Sequence, residues 1–442
     1  MKPIDPITLE IVGNLVLSVA EEMGVTLVKT AYSTNIKERK DCSVAIFDAR
    51  GQMIAQAEYV PMHLGSMLDI VKAVLDKYPL EDIKPGDMFI TNDPYSGGGT
   101  HLPDITMAMP VFVEGRLVAF VANIAHHSDI GGSVPGSVSA KSDSLYQEGL
   151  RIPLGRILRE GKIVRETYDF ILLNTRTPVE RGGDLDAQIA SNIAGAKRMA
   201  EVIKKYGPDY FAACTDALLD YAEKLMRAGI RSLPDGTYTF EDYLDDAGEN
   251  VDEPIPIRAS VTIEDGSVTV DFTGTSPQVP GPLNLTYSGL MTTVFYCFKA
   301  VAGQNIFANH GIYRAIKVVA PKGSIVNCTL PVPVGQRIDT AQRVVDVHLH
   351  RRVRAQLDHL TRRPEQEHLR VLEQRPEVGH RPDADEDQQR EELVGHADLV
   401  QHAQQPVLLD QRRQRQVGED GAGADRQQQH RLEALGDRQV DQ

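Results

Sequence analysis

Thr91-Asn92-Asp93-Pro94-Tyr95-Ser96-Gly97-Gly98-Gly99-Thr100-His101-Leu102-Pro103-Asp104 runs into two apolar segments, 105–112 and 117–124, and then into His126-His127-Ser128-Asp129. The apolar segments flank Glu114-Gly115 and read as a β-hairpin, a weaker turn signal than Asn-Gly or Asp-Gly. With Glu114 and Gly115 as the two loop residues, His126 falls opposite position 103, between His101 and Asp104. Pro103 keeps the His-Leu-Pro-Asp segment out of a helix interior, which suits a loop that turns side chains inward. The hairpin therefore brings two imidazoles and one carboxylate towards one another.

That donor set suits Mn, Fe or Zn with positions left open for water or substrate. Mg or Ca sites normally show more carboxylates. The same residues also read as ordinary structure, with His101 bonding within its loop and His126 and His127 ending a strand. Gly97-Gly98-Gly99 reads as a turn or an anion nest, and Gly131–Ser137 as a surface loop or a lid. Neither matches a Walker loop or a dinucleotide fingerprint. No Gly-x-Ser-x-Gly elbow is present. The general-base candidates are carboxylates: Asp93, Asp129, Glu148, and Glu38 and Asp41 in Ile36-Lys37-Glu38-Arg39-Lys40-Asp41. Each also reads as a member of a surface ion pair.

Outward from the hairpin, residues 7–31 show apolar positions at three- and four-residue steps, with Thr8 placed to cap the helix. Segments 43–47 and 52–56 form a hairpin about Asp48-Ala49-Arg50-Gly51, and 256–263 with 267–273 another about Glu264-Asp265-Gly266. Helices are expected over 65–77, 184–206, 208–231 and 290–302, and further strands over 88–91, 316–319 and 324–328. Strands and helices mix without regular βα alternation, so the fold class is α+β, a mixed multi-domain fold of β-hairpins and long helices. Residues 1–231 read as an N-terminal α+β domain carrying the site, and 232–347 as a second, incomplete α+β region.

From 348 to 442 the texture changes. Phe, Tyr, Ile, Met, Cys, Lys, Asn and Ser vanish, and 15 Arg stand against 19 Asp plus Glu. Such a tail buries too little apolar surface to offset its ordering entropy and is expected to be disordered. It is either a solvated low-complexity tail or the product of a frameshift in a GC-rich gene. The eight histidines of this tail show no ligand spacing.

Formal net charge is −15 over 442 residues, and no basic stripe interleaves with aromatics. Nucleic acid and anionic membrane surfaces are therefore not expected partners. Cys42, Cys214, Cys297 and Cys328 form no CxxC pair and fit a reduced, cytoplasmic setting. No signal peptide and no uncharged run of membrane-spanning length are seen.

These motifs resemble the hydantoinase B / oxoprolinase family. The likeness rests on Ile36-Lys37-Glu38-Arg39 with Asp41, Asn92-Asp93-Pro94 with Gly98-Gly99-Thr100-His101-Leu102-Pro103-Asp104, and His126-His127-Ser128-Asp129-Ile130-Gly131-Gly132. It continues through Glu148-Gly149-Leu150-Arg151-Ile152-Pro153 and Asp271-Phe272-Thr273-Gly274-Thr275-Ser276, covering nearly all of the first 347 residues. The resemblance implies a B-type subunit of an ATP-dependent hydantoinase or 5-oxoprolinase-like amidohydrolase. A partner subunit, the hydantoinase A-type ATPase, uses ATP to phosphorylate the substrate oxygen. The B-type subunit then completes hydrolysis of the cyclic amide, a small-molecule substrate. The resemblance further implies His101, Asp104 and His126 as ligands of a divalent metal, Mn first, with Zn or Fe as alternatives. His127, Asp129, Glu148 and Glu38 are the expected catalytic residues. Other readings are the alpha subunit of an acetone-type carboxylase and a non-catalytic scaffold subunit.

Overall fold

The computed structural model describes residues 4–57, 60–63, 65–245, 253–303 and 306–346. These belong to one unit of the chain, Met1–Glu365. The tail expected to be disordered lies outside the described residues.

The chain opens with α1 (Pro6–Thr30), with Pro6 at its first position. Its cap is Asp5, not the expected Thr8: Thr8 N–H donates to the Asp5 carboxylate at 2.9 Å. A carboxylate ahead of the first turn also meets the positive end of the helix dipole, which a hydroxyl inside the turn cannot. α1 is long and apolar enough to cross a membrane by length and composition. Yet Val12, Val16, Val19, Met23 and Leu27 form a stripe buried in the core, so it reads as a core helix here. After α2 (Thr34–Lys37) come β1 (Cys42–Asp48), β2 (Met53–Ala57), α3 (Ile70–Lys77), β3 (Met88–Thr91), β4 (Asp104–Val113), β5 (Arg116–His126), β6 (Gly155–Arg159) and β7 (Lys162–Ile163). These strands make one sheet in the order β2-β1-β5-β4-β3-β6-β7.

α4 (Arg165–Leu173), α5 (Pro178–Tyr206) and α6 (Pro208–Arg231) follow, then β8 (Gly236–Leu244), β9 (Ile255–Glu264) and β10 (Ser267–Asp271). α7 (Tyr287–Ala302), α8 (His310–Tyr313), β11 (Ile316–Val319) and α9 (Arg337–Asp346) complete the described chain. The second sheet runs β11-β10-β9-β8, with β10 and β11 parallel. Mixed helix and sheet content in two sheets gives the α+β class.

The central strands β4 and β5 are buried on both faces. One face, through Val111, Ala119, Val121 and Ala125, packs with the apolar stripe of α1 and with Met199 and Val202 of α5. The other, through Ala108, Phe120, Ala122 and Ile124, shares a core with α3, α7 and the second sheet. The boundary expected at 231 separates the strands of the two sheets, while this core runs across it.

Some expected elements change. Segment 324–328 is no strand: Ser324 makes only isolated bridges with Pro277 and Asn327. The helix expected over 65–77 shortens to α3, with residues 65–69 in turns and Gly65 packed so close to Thr292 that an added Cβ would come within 2.9 Å of its Oγ1. α5 begins six residues earlier than expected, at a proline suited to a first helical position.

Candidate metal centre

The Glu114-Gly115 turn has two residues with positive φ, +52° and +78°, the twist that a two-residue hairpin requires. Near the turn, Val113 opposes Arg116 and Phe112 opposes Leu117. Between Val111 and Phe112 the register shifts by one, so Val111 opposes Ala119 and Asp104 stands opposite His126. The sequence reading placed Pro103 there. A bulge at Val118 absorbs the extra residue and carries the carboxylate onto the imidazole.

Three donor atoms converge. His101 Nε2 lies 3.1 Å from Asp104 Oδ1 and 3.1 Å from His126 Nδ1, and His126 Nδ1 lies 3.3 Å from Asp104 Oδ1. All three lie within 4.8 Å of one another. His101 and Asp104 are buried, and His126 keeps some exposure. Donors about 2.1 Å from one ion would stand about 3.0–3.4 Å apart at octahedral or tetrahedral angles, so the spacing accommodates a divalent cation.

The charges agree. Burial, with the nearby Arg337 charge, drops the His101 pKa to about 3, so it is a neutral lone-pair donor at pH 7. Burial opposes ionisation of Asp104, yet its carboxyl is held well below the ordinary value by His101, Arg337 and His126. Because His101 is neutral, the cation responsible is Arg337. Its Nη2 donates to Asp104 Oδ2 at 3.1 Å and its Nε to Thr100 Oγ1 at 2.6 Å. Thr100 Oγ1 in turn donates to Asp104 Oδ2 at 3.0 Å. Oδ2 is therefore occupied while Oδ1 faces the histidines.

Glycines make the loop possible. Gly99 has φ +67°, and a Cβ there would lie 2.7 Å from Asp104 Cβ. Gly98 N–H donates to the Asp93 carbonyl at 2.9 Å, closing the segment back on itself. The run is a packed turn, and the Gly98 N–H is satisfied within it.

Of the other expected residues, Asp41 reaches the cluster's rim, with Oδ2 4.0 Å from His126 Nδ1 and Oδ1 3.7 Å from His63 Nε2. His127 continues the strand alternation to the opposite face, where its Nε2 lies 2.9 Å from Gln188 Oε1 on α5. Burial, helped by Arg181, lowers its pKa to about 4. Asp129 accepts from the N–H groups of Gly131, Gly136 and Arg176 and from the Arg176 guanidinium, which ties up the 131–137 loop. Glu148 is buried against the backbone N–H groups of Val334 and Gly335. Glu38 lies exposed at the C-terminal end of α2.

His63, Thr100 and Arg337 were not singled out from the sequence. Thr100 lay inside the quoted stretch, but a hydroxyl there carries no ligand signal of its own. Arg337 is 233 residues from Asp104, beyond any periodicity argument.

The family model for hydantoinase B/oxoprolinase matches residues 5–356. An uncharacterized protein of Methanocaldococcus jannaschii is 41% identical over 346 residues, 78% of this chain and 60% of its own length. The B subunit of a putative D-/L-hydantoinase from Pseudomonas sp. (strain NS671) is 35% identical over 362 residues, 78% of this chain and 61% of its own. The crystal structure of the ATP-dependent caprolactamase from Pseudomonas jessenii superposes with a TM-score of 0.73 at 33% identity, over 79% of this chain and 60% of that one. The chain thus spans about 60% of the length of the relatives it matches. With a family match over most of its length, this chain belongs to the hydantoinase B/oxoprolinase family.

Proposed function

We propose that this chain is the B-type subunit of an ATP-dependent cyclic-amide hydrolase of the hydantoinase or 5-oxoprolinase kind, with His101, Asp104 and His126 holding a divalent metal. The observation that carries the reading is the convergence of two imidazole nitrogens and one carboxylate oxygen where β4 begins and β5 ends. Two relatives, named as the B subunit of a hydantoinase and the beta subunit of a caprolactamase, support a partner subunit. The relative of known structure is an ATP-dependent caprolactamase, which supports ATP use. The partner is an A-type ATPase subunit, and the metal is Mn, with Zn or Fe as alternatives.

A ring amide is a poor electrophile, so the division of labour has a chemical rationale. The ATPase transfers a phosphoryl group to the amide oxygen, which makes the ring carbon open to water. The ring C–N bond then breaks as the nitrogen takes a proton, and the acyl phosphate left behind is hydrolysed to carboxylate and phosphate. A divalent ion held by His101, Asp104 and His126 would supply positive charge and lower the pKa of a water there. Arg337 and Thr100 keep Asp104 ionised and aimed. His101 stays neutral and offers a lone pair. Asp41, at the partly exposed rim, is the carboxylate placed to accept a proton from the attacking water. Asp129 and Glu148 have their oxygens taken by backbone donors and act in holding the structure.

The test is ring opening of hydantoin and 5-oxoproline with ATP, assayed for the chain, its ATPase partner and the two together. Activity is expected only from the pair, and only with metal present. Full turnover by the ATPase alone would sink the proposal. Bicarbonate-dependent carboxylation of a ketone would move the chain to the carboxylase reading.

A further inference from the structure

The chain between Cys328 and Arg337 crosses from the second sheet to the metal centre and is fastened along its length. Leu145 N–H donates to the Pro331 carbonyl at 2.9 Å, and Tyr95 Oη to the Val332 carbonyl at 2.8 Å. Asn284 Nδ2 donates to the Pro333 carbonyl at 3.1 Å, and Gln336 N–H to the Pro282 carbonyl at 2.9 Å. The shortest of these bonds belongs to Glu148. Its Oε1 accepts from Gly335 N–H at 2.6 Å and its Oε2 from Val334 N–H at 3.1 Å. Gly335 has no room for a side chain, because a Cβ would lie 2.8 Å from Glu148 Oε1. Two residues later the Arg337 guanidinium bonds Thr100 and Asp104.

We infer that Glu148 is a positioning residue for the metal centre, clamping the Val334–Gly335 backbone so that Arg337 is seated on the outer oxygen of Asp104. This rests on the metal reading above and deepens it. The clamp has a reason to be a carboxylate. Two adjacent backbone N–H groups point at one place, and a carboxylate gives each its own acceptor oxygen. Removing it leaves two buried donors unpaired and frees the segment that carries Arg337. Arg337 then no longer fixes which Asp104 oxygen faces His101 and His126. Outer hydrogen bonds of this kind set ligand orientation, and their loss typically weakens metal binding by about 10- to 100-fold.

The experiment is a titration of the full-length chain with Co(II) at pH 8, read by visible absorption, for wild type, Glu148→Gln, Arg337→Lys and the double variant. Glu148→Gln keeps the shape but presents one N–H with an amide NH2 in place of an acceptor. Each single variant is expected to weaken Co(II) binding by about 10- to 100-fold and to alter the absorption band. The double variant is expected to lose little more than either single one, because both act through the same contact with Asp104. A purely structural role would lower the unfolding midpoint while leaving the affinity of the folded protein and its spectrum unchanged. Unchanged affinity in Glu148→Gln, or losses that add in the double variant, would overturn the inference. Gly335→Ala, which retains the backbone N–H but displaces the Glu148 carboxylate, supplies the same reading should Glu148→Gln not fold. A wild-type chain that takes up no Co(II), Mn(II) or Zn(II) would defeat the metal reading itself, and this inference with it.

Discussion

Asp104 and His126 face each other directly across β4 and β5, and this pairing exists only because the strand register steps by one between Val111 and Phe112. Cβ atoms of directly opposed residues stand about 4.5–5.5 Å apart, close enough for both side chains to meet one ion. His101, three residues ahead of Asp104, closes the trio from the loop.

Alanine at His101, Asp104 or His126 should therefore abolish stoichiometric metal uptake. The loss should lie well beyond the roughly 10- to 100-fold that an outer hydrogen bond is worth. Metal analysis of dialysed protein is the check. One ion per chain retained by His101→Ala would remove His101 from the ligand set.

Gly99→Ala should damage the same centre without touching a ligand. The new Cβ would lie 2.7 Å from Asp104 Cβ and 3.0 Å from its carbonyl oxygen, in a backbone with φ +67°. Neither neighbour is a flexible side-chain end, so a cost of about 1–3 kcal/mol is expected, together with weakened metal binding. Gly115→Ala is the control. It also has positive φ but meets nothing within 4 Å, so it should cost about 1 kcal/mol and leave metal affinity unchanged. Denaturant unfolding and metal titration of the pair separate backbone strain from crowding of Asp104. Equal metal affinities in the two variants would refute this account.

The contrast shows what could be read from the sequence. The hairpin, its two-residue loop and the trio of donors follow from local pattern and the period of two. The one-residue bulge does not, because Val118 looks like any other strand residue. The early start of α5 was obscured by Gly182-Gly183, which looks like punctuation. In the structure a Cβ at Gly183 would strike the ring of Tyr32 at 2.4 Å, so this glycine serves close packing inside the helix. Arg337 and the buried partners of Glu148 stayed hidden because contacts across about two hundred residues leave no local signature.

Asp184→Ala should be among the most destabilising changes away from the metal centre. Asp184 and Arg181 are both fully buried, with Arg181 Nη2 donating to Asp184 Oδ2 at 2.7 Å. Asp184 Oδ1 also accepts from the N–H groups of Tyr32 and Ser33, at 2.8 and 3.0 Å, which fixes the link between α1 and α2. Removing it leaves the buried Arg181 guanidinium with only the half-exposed Glu180 carboxylate and the Ser128 hydroxyl, and unpairs the Tyr32 and Ser33 N–H groups, a loss of about 3–5 kcal/mol. The exposed Arg198–Glu22 pair, in water and screened by salt, should contribute far less. A loss at Asp184 no larger than that of Glu22→Ala would contradict the buried-pair argument.

The four free cysteines are all buried. Burial pushes the thiols of Cys42, Cys297 and Cys328 up to about 12, so almost no thiolate is present at pH 8. A thiol reagent should label none of them in the native protein within minutes and all four after denaturation. Rapid native labelling would show a local opening that the packing does not predict.

Stability should also carry a pH signature from Glu148. Burial raises its pKa from 4.5 to about 7, against the opposing pull of the Val334 and Gly335 N–H groups and the Arg337 charge. A carboxyl raised on folding favours its neutral form in the native state. Below pH 4.5 it is protonated in both states, and its contribution is fully present. Between pH 4.5 and 7 the unfolded chain ionises first, so that contribution falls as pH rises and is gone above about 7. Glu148→Gln removes the ionisable group. The difference in unfolding free energy between wild type and this variant should therefore shift in favour of the glutamine across that window and level off above it. Urea unfolding of both proteins at matched pH values measures it. A difference that stays flat, or that moves towards wild type as pH rises, would mean that the two backbone donors outweigh burial and that Glu148 is already ionised near its ordinary pKa.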